Sequence, residues 1–292
     1  MEISIAHLGP AGTYAESAAL AYAKWLQTAT GQVSTLYPYA SIAQAIRATA
    51  DGKADIAVVP VENSIEGSVT VTLDTLWQLD HLHIQQALTL PIAHALLSTA
   101  TAIDAIEVVY SHPQALAQCQ MWLERFLPSV SLVPTNSTTE ALQYLRDNPQ
   151  AGAISSQRAA QLYDLPILAY PINDHPDNCT RFWVLSLKSP ENGSQTSLAF
   201  SLPANTPGAL VKPLQIFAQR QINMSRIESR PTKRSLGDYL FFVDLETDLQ
   251  SAKAQSALAE LRACTETIKI LGSYDVLPIG EVLPSSSARS EG

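Results

Sequence analysis

A Ser or Thr followed three residues later by Glu or Gln marks a candidate helix start at Thr13-x-x-Glu16, Ser41-x-x-Gln44, Ser111-x-x-Gln114 and Ser137-x-x-Glu140. Each is a capping box, in which the first side chain accepts from a free N–H of a helix start and the fourth reaches back. Short β-rich runs alternate with these starts. Ile3–Leu8, Ile56–Val61, Val108–Ser111, Val130–Pro134, Gly152–Ser155 and Ile167–Pro171 read as strands. Alternation of this kind predicts βα units and a mainly parallel sheet from Ile3 to about Leu187. After Thr13, the residues Ala15, Ala18, Ala19, Tyr22 and Leu26 fall at helical spacing, as do Leu116, Cys119, Leu123 and Phe126 after Ser111. The apolar stretch Ile84–Leu97 contains Pro91 and reads as strand crossing between two lobes.

Hydrophobicity drops and turn formers cluster at residues 188–195, which marks a linker. Beyond it, strand Ser197–Leu202, helix Pro207–Gln219, strands Asn223–Ser229 and Tyr239–Leu245, helix Ala252–Cys264 and strand Thr267–Tyr274 give the order βαββαβ. That is the ferredoxin-like arrangement, with both helices on one sheet face and the other face free. The expected division is therefore 1–187, a two-lobed α/β domain; 188–195, the linker; 196–280, the ferredoxin-like domain; and 281–292, a disordered polar tail.

With 292 residues, 46% hydrophobic and 15% charged, the chain can bury large cores and reads as a soluble globular protein. A net charge of −9 without any Lys/Arg run argues against nucleic acid, and no apolar run argues for a membrane. The N-terminus reads as a strand rather than a secretory leader, and the three cysteines lack a C-x-x-C pair, so reduced thiols in the cytoplasm are expected.

Chemistry-bearing side chains gather where strands run into turns. Gly9-Pro10-Ala11-Gly12-Thr13 offers a tight turn and a helix N-terminus able to hold an anion, and it lacks the lysine of a phosphate loop. A plain βα turn is the alternative. Pro60 to Ser68 packs Glu62, Asn63, Ser64 and Glu66 behind a buried strand, as a solvated loop also would. Ser111-His112 reads as a cap rather than a nucleophile–base pair. His81-Leu82-His83 places two imidazoles on one strand face without a third ligand, and Asp174, His175 and Asp177 invite the same thought and discount. Asn178-Cys179-Thr180-Arg181-Phe182 joins an amide, a hydroxyl, a cation and an aromatic ring at a strand mouth. Together these segments imply an inter-lobe cleft suited to a small organic anion.

In this order, Gly9-Pro10-Ala11-Gly12-Thr13-Tyr14, Pro60 to Gly67, Ser111 to Leu116 and Asn178 to Phe182 closely resemble the motifs of the prephenate dehydratase family. Gly208-Ala209-Leu210-Val211 and Glu228-Ser229-Arg230-Pro231 look like the phenylalanine-binding motifs of the ACT regulatory domain that follows the catalytic domain there. The resemblance covers about Ile3 to Val276. It implies an α/β catalytic domain with two periplasmic-binding-protein-like lobes, a site between them, and no cofactor or metal. Prephenate is the implied substrate, L-phenylalanine the allosteric effector, and ACT pairing into a dimer or tetramer the implied assembly.

By the same resemblance Thr180 serves the leaving hydroxyl, and Glu62 is the candidate acid behind it if burial raises its pKa. Asn63, Ser64 and Gln118 orient the substrate. Arg181, or helix N-termini such as that behind Gly12 and Thr13, holds a carboxylate, and Phe182 flanks the ring; bracing of Glu62 or Glu66 is the other role open to Arg181. Asn136 stands where some members carry an acid, and Tyr14 where Phe is more usual. The rival readings are arogenate in place of prephenate, a non-catalytic amino-acid sensor on the same architecture, and a metal-dependent hydrolase built on His81 and His83 that chelators would silence.

Overall fold

The computed structural model describes residues 2–189 and 192–280, so the expected tail at 281–292 lies outside the described residues. The first lobe runs through β1 (Ile3–Leu8), α1 (Tyr14–Thr30), β2 (Ser34–Tyr39), α2 (Ile42–Ala50), β3 (Ile56–Asn63), β4 (Gly67–Ser68), α3 (Thr70–Trp77) and β5 (His83–Pro91). The second lobe holds β6 (Ala95–Ser98), β7 (Val108–Ser111), α4 (Pro113–Ala117), α5 (Gln120–Phe126), β8 (Ser131–Pro134), β9 (Ala151–Ser155), α6 (Gln157–Leu162) and β10 (Ile167–Ala169). Its 3-10 helix spans Glu140–Leu145. The chain returns to the first lobe on β11 (Cys179–Ser186). It then builds β12 (Gln195–Ser201), α7 (Val211–Gln219), β13 (Met224–Pro231), β14 (Tyr239–Leu245), α8 (Ala252–Arg262) and β15 (Thr267–Pro278).

Each lobe is a twisted sheet flanked by helices. β1 pairs in parallel with β2 and β3, and β7 in parallel with β8 and β9. The strands at the crossings are antiparallel to their neighbours: β11 lies between β3 and β5, and β6 between β9 and β10, so both sheets are mixed. Ile56-Ala57-Val58-Val59 in β3 is buried on both faces, as a continuous apolar run in a covered sheet should be. The stretch Ile84–Leu97 divides into β5 and β6, in different sheets, with residues 92–94 passing between lobes.

At three of the four capping signals the first side chain accepts as expected, but the reciprocal bond to the capping residue is not made. Thr13, Ser41 and Ser137 accept from the backbone N–H of Glu16, Gln44 and Glu140. Glu16 and Glu140 reach one residue further back than a capping box requires, to the N–H of Gly12 and Asn136. Ser111 does not cap. Its hydroxyl donates to the Ile154 carbonyl at 2.7 Å, tying β7 to β9, and the His112 ring takes over the cap of α4. The single helix expected after Ser111 is broken at Gln118-Cys119, because the Asp174 carboxylate accepts from the N–H of Met121 and Trp122 and starts α5 afresh. Asp174 is thus a helix cap.

The C-terminal unit has the predicted element order, with α7 and α8 packed on one sheet face. The expected helix at Pro207 begins only at Val211. No side chain caps it, and Gly208 turns at φ +80° ahead of it. The other sheet face is not free. Ala199, Leu240, Phe242, Leu271 and Tyr274 share one buried cluster with Ala45, Ile46, Leu73, Leu76 and Ile84 of the first lobe. β15 also overshoots its own unit, and Asp275–Pro278 pair in parallel with Gln86–Thr89 of β5. A ten-stranded sheet therefore runs through both units, and Gly272 permits the crossing because a Cβ there would collide with the Ile84 carbonyl.

Candidate active site

Between the lobes lies a cavity of about 540 Å³. Its first-lobe wall comes from the end of β1 (Leu8, Gly9, Pro10), the start of α1 (Thr13, Tyr14), Asn63 on β3, and Thr180 and Phe182 on β11. The second lobe adds His112, Gln114, Gln118 and residues 136–138, and the crossing adds Ile92 and His94. The starts of α1, α2, α4 and the 3-10 helix all face this space through Thr13, Ile42, Gln114 and Thr138. The lining contains neither Lys nor Arg. An anion held here would rest on helix N-termini and side-chain amides and hydroxyls rather than on a cation.

Asn63 is fixed by its own turn. Its Oδ1 accepts from the N–H of Ile65 at 3.0 Å and of Glu66 at 3.1 Å, an Asx turn that ends β3. Its Nδ2 then donates to Thr180 Oγ1 and to Asn178 Oδ1, both at 2.9 Å. Because Thr180 Oγ1 accepts from Asn63, its own proton is turned to another acceptor, and none is found among the described residues. A buried hydroxyl presenting its hydrogen to an anion-sized cavity is equipped to donate to a departing oxygen.

Residues 5–190 match the family described as prephenate dehydratase, and residues 196–263 match the ACT domain. The chain belongs to the prephenate dehydratase family. It is 38% identical over 288 residues to a prephenate dehydratase of Lactococcus lactis, covering 96% of this chain and 100% of that one. A bifunctional chorismate mutase/prephenate dehydratase of Aquifex aeolicus is 40% identical over 94% of this chain and 74% of its own length. The crystal structure of prephenate dehydratase from Arthrobacter aurescens in complex with L-Phe superposes with a TM-score of 0.82, at 34% identity, over 94% of this chain and 90% of that one.

In this member of the prephenate dehydratase family, two of the expected site residues face the wrong way. Side chains alternate along a strand, so with Thr180 and Phe182 in the cleft Arg181 points to the opposite sheet face, as Glu62 does next to Asn63. There Arg181 Nη1 lies 3.4 Å from Glu62 Oε2 and 3.4 Å from Asp244 Oδ2 of the ACT unit. Neither Glu62 as the acid nor Arg181 as the carboxylate clamp fits this geometry. Ser64 is exposed and outside the lining, and its Oγ accepts from the Cys179 N–H and donates to Asn178 Oδ1. Gly12 also lies behind the wall. It sits at φ +86° against Thr139 and Ala159 of the second lobe, and its carbonyl accepts from Ser156 Oγ at 2.9 Å. Beside it, Arg158 Nε donates to Glu16 Oε2 at 2.8 Å, so the two lobes are latched next to the cleft.

His94 was not singled out by the sequence, where it is one imidazole in an apolar run. It is 3% exposed, and burial pushes its pKa down. Its Nε2 lies 2.9 Å from Gln118 Oε1, and its Nδ1 3.2 Å from the Tyr14 hydroxyl, which donates to the Ala93 carbonyl at 2.7 Å. His81 is exposed outside β5 and His83 is half-buried at its start; among the described residues no three His, Cys, Asp or Glu are grouped as metal ligands.

The ACT motifs lie away from the cleft. Gly208, Ala209 and Leu210 form the turn before α7, and Val211 is exposed. Glu228, Ser229, Arg230 and Pro231 lie on β13, at the sheet edge. Glu228 Oε2 accepts from Ser68 Oγ at 3.1 Å, and Arg230 forms a bidentate pair with Asp74 at 3.0 and 3.1 Å, while Ser229 is exposed.

Proposed function

We propose that the chain converts prephenate to phenylpyruvate, water and carbon dioxide in the inter-lobe cleft, as a carbon–oxygen lyase of L-phenylalanine biosynthesis. The observation that carries this reading is Thr180 Oγ1, held as an acceptor by Asn63 Nδ2 at 2.9 Å and lining the cleft beside Phe182. In the reaction the bond from the ring to its carboxylate breaks, and its electron pair enters the ring. The ring carbon–hydroxyl bond breaks with its pair on oxygen, and that oxygen takes up one proton, ultimately from solvent. Thr180 donates a hydrogen bond to the departing oxygen, and Asn63 prevents the hydroxyl from turning away. The side-chain carboxylate rests on the helix N-termini. Loss of the ring carboxylate's charge is favoured in a cleft whose lining holds no cation to stabilise it.

Phenylalanine, bound through Gly208–Val211 and Glu228–Pro231, acts as the feedback effector. Arg181 and Glu62, on the back of the strands that carry Thr180 and Asn63, form the contact through which the ACT unit reaches the site. The domain limits 1–187 and 196–280, the cytoplasm, and self-association belong to the same reading. The sheet face opposite the helices is covered within the chain, so the exposed edge β13 with Ile227 is the surface we assign to a second copy. No described helix is long and apolar enough to cross a membrane.

The test is product formation by purified protein from prephenate and from arogenate, each with and without phenylalanine and EDTA. Phenylpyruvate from prephenate, suppressed by phenylalanine and unaffected by EDTA, is expected. Phenylalanine formed from arogenate alone would change the substrate and keep the site. Turnover of neither would leave an amino-acid sensor.

A further inference from the structure

The orientation of every amide around Thr180 follows from groups that cannot reverse. The N–H of Ile65 and Glu66 can only donate, so the Asn63 atom facing them is oxygen and the other end is nitrogen. The Asn178 atom 2.9 Å from that nitrogen is therefore oxygen, and the Asn178 nitrogen faces Gln118 at 3.0 Å. Gln118 answers with Oε1, and since this same oxygen lies 2.9 Å from His94 Nε2, that ring nitrogen must carry hydrogen. The far end closes consistently. Gln118 Nε2 points to the Glu66 carboxylate, which accepts only, at 3.5 Å. His94, Asn178 and Gln118 are all nearly or fully buried, so water does not compete for these assignments.

We propose that His94 and Asn178 are positioning residues that pin the Gln118 oxygen, so that Gln118, with one amide hydrogen aimed at Glu66, offers the other to the cleft. This rests on the reading of the cleft as the site of a substrate bearing carboxylates. In a lining without Lys or Arg, the sign of that amide matters: turned over, it would set an oxygen against an anion. Asn63 and Gln118 are bridged by Asn178, so the group that holds Thr180 and the group that meets the carboxylate are set by one network. Burial disfavours the charged ring, and the Tyr14 hydroxyl, 3.2 Å from Nδ1 and 2.7 Å from the Ala93 carbonyl, shares its one hydrogen between the two, so Nδ1 is an acceptor. The titratable groups facing His94 are Tyr14 at Nδ1 and, beyond Gln118, Glu66, and neither brings a carboxylate into contact with the ring.

The test combines a spectrum with a double-mutant cycle. Long-range 1H–15N spectra of the wild-type protein with 15N-labelled histidine should show a buried, neutral ring protonated at Nε2, assigned to His94 by its loss in His94→Gln. A ring protonated at Nδ1 overturns the proposal whether or not any variant folds and whether or not prephenate is the substrate. In steady-state assays His94→Met should raise KM for prephenate about tenfold or more, and His94→Gln, whose amide can restore the donor, should recover most of it. Within a Gln118→Met background His94→Met should change KM less than about twofold, because its route of action is gone. Equal effects of His94→Met in both backgrounds would show a role independent of Gln118 and refute the positioning claim.

Discussion

Thr180→Val is the sharpest perturbation of this site, because valine matches threonine in shape and removes only the hydroxyl. Thr180 is 9% exposed, so the methyl that replaces Oγ1 meets protein rather than bulk water. Asn63 Nδ2 loses one acceptor but keeps Asn178 Oδ1 at 2.9 Å, so the folded state should lose only about 1 kcal/mol. For a chain of this size that corresponds to roughly 2–4 °C in Tm. The cost in rate is larger. A preorganised donor aimed at an atom that gains negative charge in the transition state is worth about 10²–10³ in kcat, or roughly 2.7–4 kcal/mol. Thr180→Ser keeps the donor and should stay within about tenfold of wild type, the extra rotational freedom of serine accounting for the loss. Phenylpyruvate formation measured at saturating prephenate, alongside a thermal melt, gives both numbers. A valine variant that melts normally and turns over within about threefold of wild type would refute the assignment of Thr180 as the donor.

Arg181→Met should leave kcat/KM for prephenate within about threefold, since the side chain faces the ACT unit rather than the cleft; a loss above about thirtyfold at saturating substrate would return it to the cleft. Asp244→Ala is expected to be severe, because Asp244 is 1% exposed and removing it strands the buried Arg226 guanidinium that donates to it at 2.7 Å; urea melts should show a loss of about 3–5 kcal/mol. Gly12→Ala puts a Cβ 3.1 Å from Thr139 Cγ2 and 3.2 Å from Ala159 Cβ at φ +86°, and should cost about 1–2 kcal/mol from backbone strain and raise KM by prying the lobes apart; an alanine variant with unchanged Tm and KM would count against the latch. Burial works to raise the Glu16 pKa, yet the Arg158 hydrogen bond, the Gly12 N–H and the Arg158 charge outweigh it and hold the carboxyl below its ordinary value. Its stabilisation is therefore full above the unfolded glutamate value of about 4.3 and is lost as pH falls through the lower folded value. The stability gap between wild type and Glu16→Gln should be constant near neutrality and shrink in acid, and a gap that widens in acid would contradict the ion pair.

Much of the site was legible before any coordinates because it is made of local motifs. Thr13, Ser41 and Ser137 cap the helices that their spacing announces, and each of those helix starts reaches the cleft. Asn63, Gln118, Thr180 and Phe182, all named from the sequence, line one cavity. His94 had no local signal at all. Its meaning lies in Gln118 and Tyr14, one 24 and the other 80 residues away in the chain. Glu62 and Arg181 misled for the opposite reason, since each neighbours a cleft residue in sequence and a strand sends adjacent side chains to opposite faces.

The sequence by itself determined the βαββαβ order of the C-terminal unit, several helix starts and the family, because capping, turn chemistry and hydrophobic period act over three to eight residues. Only the tertiary structure decided which face of each strand meets the cleft. It also decided that Ser111 bridges strands instead of capping, that Asp174 breaks a helix from across the lobe, and that the ACT sheet spends its second face on α2 and α3. Those outcomes depend on pairings between residues far apart in the chain, where register and burial, rather than local preference, set the lowest free energy.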